Sequence, residues 1–163
     1  MVKITLPQGQ TPNFELLQHE LTNGGAIASV IKDAGDDPDV THEAEIIAEV
    51  QLSELGQGVR FFAGSGVGTV TLPGLPLAVG EPAINPGPRA MIETAINDVC
   101  RDLNVAGDVN VTISIPGGEQ LALKTMNGRL GVKGGLSVLG TTGIVIPYSC
   151  SSWIRSIHQG VDV

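Results

Sequence analysis

Aromatic side chains are nearly missing from this sequence, with one Trp, one Tyr and three Phe in 163 residues. Any core must therefore be built from Val, Ile, Leu and Ala. Positive charge is also scarce, with 9 Lys and Arg against 17 Asp and Glu, a net charge of −8 and a pI near 4.7. Non-specific binding to nucleic acid or to anionic membranes needs clustered Lys and Arg, so both are excluded as expectations. An anionic small molecule held by a few local cations is not. The two cysteines, Cys100 and Cys150, form no CxxC pair and read as buried thiols in a reducing compartment. The longest apolar stretch, Gly134 to Ile146, is broken by Gly, Ser and Thr and falls short of the roughly 18 apolar residues of a membrane span. No basic-then-apolar leader opens the chain, so the expectation is a protein without a signal peptide, in the cytoplasm. There is no repeat, no G-x-S-x-G, no H-E-x-x-H, no Walker loop and no calcium loop, and His19, His42 and His158 are scattered. No metal site is expected.

What is present is 42% hydrophobic residues interleaved with 22 Gly and 10 Pro, in a length that suits one compact domain. Alternation or β-branching predicts strands over residues 2–6, 14–21, 26–31, 44–52 and 60–63, the last continuing over 67–72. Asn23-Gly24-Gly25 is a hairpin signal. Met91, Ile92, Ala95, Ile96, Val99, Cys100 and Leu103 recur at helical spacing, with Pro88 in the first turn, Asn85 or Gly87 near the cap and Gly107 past the end. Residues 109–115 read as a strand, 121–125 as its hairpin partner, 130–139 as a helix, 142–146 as a strand and 149–158 as the start of a helix. The order predicts an α+β fold with a mixed, largely antiparallel sheet and helices packed on one face, ranked ahead of a doubly wound parallel sheet. A domain is expected over 1–147, with 148–163 beginning a helix that leads into a second domain.

Four loops are candidates for chemistry. The stretch from Lys32 to His42 opens a region with eight acidic residues between Asp33 and Glu54 and no Lys or Arg among them. Crowded carboxylates repel, so they are held by turn chemistry, a cation or a proton. Carboxylates hold ribose hydroxyls or act as general bases, while Asp, Gly and Pro equally make a solvated turn. Gly64 to Thr69 is a glycine-rich turn that either cradles an anion or bends a hairpin tightly. Gly80 to Arg89 carries Glu81, Asn85 and Arg89 ahead of the helix, and is either a polar site at a helix N-terminus or a rigid connector. Lys124, Arg129 and Lys133 form the densest local positive charge, followed by Gly134, Gly135, Ser137, Thr141 and Thr142, which would line a close-fitting pocket or permit close packing.

At these loops the chain resembles one family. KDAGDDPDVT (residues 32–41), GVGTVTLPG (66–74), GEPAINP with PR (80–86, 88–89) and KTMNGRLGVKGGLSVLGTTG (124–143) look like the signature blocks of the CbiD family, in the same order. The family is the cobalt-precorrin-5B C1-methyltransferase of anaerobic cobalamin biosynthesis, and the resemblance spans the whole chain. It implies transfer of a methyl group from S-adenosylmethionine to ring carbon C1 of a cobalt-bearing tetrapyrrole, giving cobalt-precorrin-6A, with cobalt present only as part of the substrate. Family members are about twice as long, so the resemblance implies that a Thr/Gly-rich stretch before the first strand and a C-terminal domain are missing here. On this reading Arg89, Lys124 and Arg129, with Glu81 and Asn85, meet the polycarboxylate substrate. Asp33, Asp36 and Asp37 form the polar heart of the site as catalytic residues. Gly66, Gly68, Thr69, Gly134, Gly135, Ser137, Thr141 and Thr142 approach the methyl donor. Self-association stays open. Two other readings compete: a non-catalytic tetrapyrrole-binding or assembly fragment of that enzyme, and a metal-dependent hydrolase built on the Asp cluster.

Overall fold

The computed structural model of the chain describes residues 1–148 together with Ile154. The central element is a five-stranded sheet in the order β3-β4-β5-β8-β6, formed by β3 (Gln18–Thr22), β4 (Gly25–Ile31), β5 (Glu45–Leu52), β8 (Val109–Ser114) and β6 (Val59–Ala63). Two small two-stranded sheets accompany it, β1 (Val2–Lys3) with β2 (Asn13–Phe14), and β7 (Thr69–Val70) with β9 (Val132–Lys133). All pairings are antiparallel except β6 with β8. Among the described residues the helices are α1 (Pro86–Leu103) and α2 (Gly118–Ala122). The fold is α+β with a mixed, mostly antiparallel sheet.

The alternating residues of β8 explain which face is covered. Val109, Val111 and Ile113 are buried, while Asn110, Thr112 and Ser114 on the other face are partly exposed. Register carries the apolar face outward through Ile46, Ala48 and Val50 of β5 and Val59 and Phe61 of β6. Ile92 and Ile96 of α1, and Leu121 and Ala122 of α2, pack on that same cluster. Both helices therefore lie on one face. Only the N-terminal half of the expected helical stripe is used, because Val99 and Leu103 stay exposed. Asn85 is the N-cap of α1, with prolines opening the helix, and Asn104 rather than Gly107 closes it in the left-handed conformation.

The β3–β4 hairpin forms where the Asn-Gly signal lies, with Thr22 opposite Gly25 and Gly24 at φ 80°. Four expectations are corrected. Residues 67–72 do not continue β6, since β7 leaves the main sheet to pair with β9. Residues 121–125 are no hairpin partner of β8, because β5 and β6 already occupy both of its edges. The chain instead turns at Gly117 (φ 77°) into α2. Residues 130–139 are not helical, since Gly131 and Gly134 sit at φ 77° and 83° and the segment runs extended. Residues 142–146 make no strand, with Gly143 at φ 76° interrupting them. The first strands are also shorter than expected, 2–6 reducing to β1 and 14–21 dividing between β2 and β3. The helix expected over 149–158 lies outside the described residues apart from Ile154.

Candidate functional site

Strand β6, helix α1 and strand β8 form a parallel crossover, so the end of β6, the N-terminus of α1 and the end of β8 share one end of the sheet. Ligands of open sheets containing parallel strands commonly lie beyond these carboxyl ends. Three of the four candidate loops meet there. Gly68 N–H donates to Leu136 O and Leu136 N–H to Gly66 O, both at 2.8 Å. Ala83 N–H donates to Gly68 O and Val138 N–H to Ala83 O, again at 2.8 Å. Residues 64–71, 80–85 and 131–138 are thus one interlaced backbone layer.

Glycine is required in this layer by close approach. A Cβ on Gly66 would lie 1.8 Å from Ile115 O, one on Gly68 2.9 Å from Gly135 O, and one on Gly135 2.3 Å from Gly66 O. At Gly66 and Gly135 the space beside the backbone is filled by other backbone, and at Gly68 by the Val132 side chain as well as by backbone. Gly134 differs, with φ 83° and nothing within 4 Å of its missing Cβ. Thr69 lies in β7, half-buried. Thr141 is exposed, and Thr142 Oγ1 donates to Ile144 O at 3.0 Å.

Two side chains that sequence reasoning missed brace the layer. Glu119 Oε1 accepts from Gly66 N–H at 2.8 Å. Buried Asn127 donates through Nδ2 to Gly135 O and accepts from Ser137 Oγ, both at 3.3 Å. Asn127 stands inside the fourth signature block, but nothing in its spacing marks it as buried.

The candidate cations divide. Arg89 is committed to its own loop: Nε donates to Ile84 O at 2.7 Å, Nη2 to Pro82 O at 3.2 Å, and Glu81 Oε2 lies 3.6 Å away. Its guanidinium also stands 5.4 Å from the centre of the Phe61 ring. Asn85 caps α1 through its backbone, without a side-chain cap bond. Lys124, Arg129 and Lys133 are exposed, and none forms an ion pair among the described residues.

The acidic loop is organised around a residue that was not singled out. Asp39 pairs with Lys32 Nζ and accepts from Thr41 Oγ1 at 2.6 Å and Thr41 N–H at 2.8 Å. Burial works to raise the Asp39 pKa, and the hydrogen bonds from Lys32 and Thr41 outweigh it, so the carboxyl is held below its ordinary value of 3.8. Of the three predicted carboxylates, Asp33 Oδ1 accepts from Gly35 N–H at 2.8 Å and Asp37 Oδ1 accepts from Tyr148 N–H at 3.0 Å. Asp36 is exposed without a hydrogen bond among the described residues. His42 Nδ1 accepts from Ala34 N–H at 3.1 Å. Residues 138–148 link this loop to the interlaced layer. Gly87 packs against Gly140, Gly143 against Leu6 and Pro147 near Gly35. No hydrogen bond or ion pair joins Asp33, Asp36 or Asp37 to Arg89, Lys124 or Arg129 among the described residues.

Because the Asp39 carboxyl is depressed in the folded state, its contribution is present above the ordinary aspartate range and is lost as pH falls through the folded pKa. Lys32→Met is therefore expected to weaken the protein by about 1 kcal/mol at neutral pH, a cost that shrinks below about pH 4. Urea melts of both proteins at several pH values check this, and a pH-independent difference would refute the pairing.

A CbiD profile matches residues 1–147. The chain belongs to the CbiD family. It is 60% identical over 163 residues to the cobalt-precorrin-5B C(1)-methyltransferase of a Bradyrhizobium species, covering 100% of this chain and 43% of that protein. It is 57% identical over 162 residues to the protein of the same name from Paramagnetospirillum magneticum, covering 99% and 45%. Its backbone is similar to the crystal structure of a cobalamin biosynthesis protein, CbiD, from Archaeoglobus fulgidus. That match has a TM-score of 0.68 at 33% identity and covers 97% of this chain and 49% of the other. The chain thus spans less than half the length of these CbiD relatives. No metal-ligating group of three or more His, Cys, Asp or Glu occurs among the described residues. No helix among them is long and apolar enough to cross a membrane.

Proposed function

We propose that this chain is part of an S-adenosylmethionine-dependent methyltransferase acting on C1 of cobalt-precorrin-5B to give cobalt-precorrin-6A in anaerobic cobalamin biosynthesis. The carrying observation is that proteins named for this reaction align with it end to end at up to 60% identity. In the reaction the ring carbon forms a bond to the methyl group while the sulfur–methyl bond breaks and its electron pair stays on sulfur. Such a transfer needs little covalent help from the protein. It needs the nucleophilic carbon held in line behind the methyl group with water kept out.

The substrate is a large polycarboxylate, and the chain carries a net charge of −8, so binding requires local cations. Of the candidate cations, Lys124 and Arg129 are exposed and form no ion pair among the described residues, so they can supply it as charge-assisted donors. Arg89 contributes by holding the Glu81 to Asn85 loop in shape. Asp33, Asp36 and Asp37 supply carboxylates for ribose hydroxyls or for proton movement on the macrocycle. Gly134, like Gly128 and Gly140 of the fourth block, has open space beside it, suited to close approach of the methyl donor.

A second reading has a specific observation behind it. On this reading the chain binds the tetrapyrrole or serves assembly and lacks turnover alone; what supports it is that the chain spans under half the length of these relatives. One experiment separates the two. Cobalt-precorrin-5B and S-adenosylmethionine are incubated with this chain and, in parallel, with the Bradyrhizobium relative, and products are weighed by mass spectrometry. One added methyl group with both proteins supports catalysis by the chain. Addition by the relative alone supports the binding reading. Addition by neither sinks the proposal. In whichever protein is active, replacing the residue equivalent to Arg129 by Ala is expected to raise KM about tenfold with kcat little changed.

A further inference from the structure

The two edges of the main sheet are built differently. Edge strand β3, Gln-His-Glu-Leu-Thr, is polar and exposed along most of its length, the composition that discourages strand pairing. Edge strand β6, Val-Arg-Phe-Phe-Ala, has no Pro, no Lys and no acidic residue. Its pairing with β8 fixes which backbone groups are left over. Val109 N–H donates to Gly58 O at 3.1 Å and Gly64 N–H donates to Ile113 O at 2.8 Å. In a parallel ladder this phase turns Gly58, Arg60, Phe62 and Gly64 toward β8, and leaves N–H and C=O of Val59, Phe61 and Ala63 pointing outward.

Among the described residues the flank of this edge is open. Clefts of about 290 and 330 Å³ run beside it and share Val59 and Glu93. The first holds Arg60 and Arg89 together with Glu81 and Glu93 and is formally neutral, and the second adds Asp108, so within a chain of net charge −8 this border carries little net charge. The strand is also complementary to itself. Antiparallel pairing about Phe61 sets Phe61 against the partner's Phe61 and Val59 against the partner's Ala63 on the helix-covered face. On the other face it sets Arg60 against the partner's Phe62. Within one chain the Arg60 guanidinium already lies 5.6 Å from the centre of the Phe62 ring, and the pairing repeats that contact across the axis.

We propose that β6 is a self-association edge, where a second copy of this chain adds its own β6 antiparallel and joins the two five-stranded sheets into one. The pairing uses the outward groups of Val59, Phe61 and Ala63 in about six backbone hydrogen bonds. It is independent of the catalytic reading, because it needs no substrate.

Ala63→Pro is the direct probe. It deletes one outward N–H and leaves the β8 ladder and the core side chains in place. Sedimentation of the chain between about 10 and 500 µM is expected to show a dimer whose dissociation constant rises at least tenfold in Ala63→Pro and stays put in Ala63→Ser. Hydrogen exchange gives a readout that needs no variant: the amides of Val59, Phe61 and Ala63 are expected to slow with rising protein concentration while those of β3 do not. A monomer throughout the range overturns the proposal. So does a dimer in which these amides exchange at the same rate dilute and concentrated. If they are protected only in a longer CbiD chain, the edge belongs to the rest of that chain, and self-pairing is wrong.

Discussion

Replacing Gly66 by Ala is expected to cost on the order of 4 kcal/mol or more, enough to unfold a marginal domain. Two independent penalties meet at this residue. Its φ of 74° lies where a Cβ is strained in any L residue. The added methyl would stand 1.8 Å from Ile115 O and 2.8 Å from Gly118 N, both of them backbone atoms that no rotamer change can move. Relief would require shifting the junction of β8 with α2, and Gly66 O and N–H are already tied to Leu136 and Glu119. Gly134→Ala is the control. It has a similar φ of 83° but open space, so only the conformational cost of about 1–2 kcal/mol applies. Urea denaturation of the two variants gives the comparison. Equal losses would mean that the close backbone approach has no energetic weight.

Arg89→Met is expected to lower stability by about 2–3 kcal/mol, and Arg89→Lys to recover little of it. The planar guanidinium donates in two directions at once, to Ile84 O and Pro82 O, while lying over Phe61 and beside Glu81. Met keeps most of the apolar stem and loses every one of these polar contacts. Lys keeps the charge but cannot reach two carbonyls through a fork. Ile84, fully buried, anchors this loop in the core, so slackening of residues 81–85 also loosens the pairing of Asn85 N–H with Val138 O. The check is a denaturation curve measured without substrate. If Arg89→Met melts like the parent and only ligand affinity falls, Arg89 is a substrate contact rather than a strut.

The central strands were legible in the sequence as apolar, β-branched or alternating runs, and β4, β5, β6 and β8 fall close to where those runs placed them. So was α1, from its apolar stripe and its opening prolines. The errors concentrate where glycine is dense. Residues 130–139 carry enough apolar residues to look helical, yet Gly131 and Gly134 take left-handed dihedrals and the stretch is held extended by bonds to loops sixty residues earlier. The site divides in the same way. Arg89, Lys124 and Arg129 were equivalent as cations in the sequence, and only packing separated Arg89, bonded to its own loop, from two exposed charges. Asp39 was one acid among eight, and its pairing with Lys32 depends on a turn that brings together side chains seven residues apart.

The sequence by itself determined the class of fold and membership in the CbiD family, because these rest on local periodicity and on contiguous motifs. Only the tertiary structure decided that three signature loops interlace into one backbone layer, that Glu119 and Asn127 brace it, and that β6 stands at an edge of the main sheet among the described residues. Those outcomes depend on contacts between residues far apart in the chain, where a missing Cβ or a spare carbonyl matters only once another segment has come within about 3 Å of it.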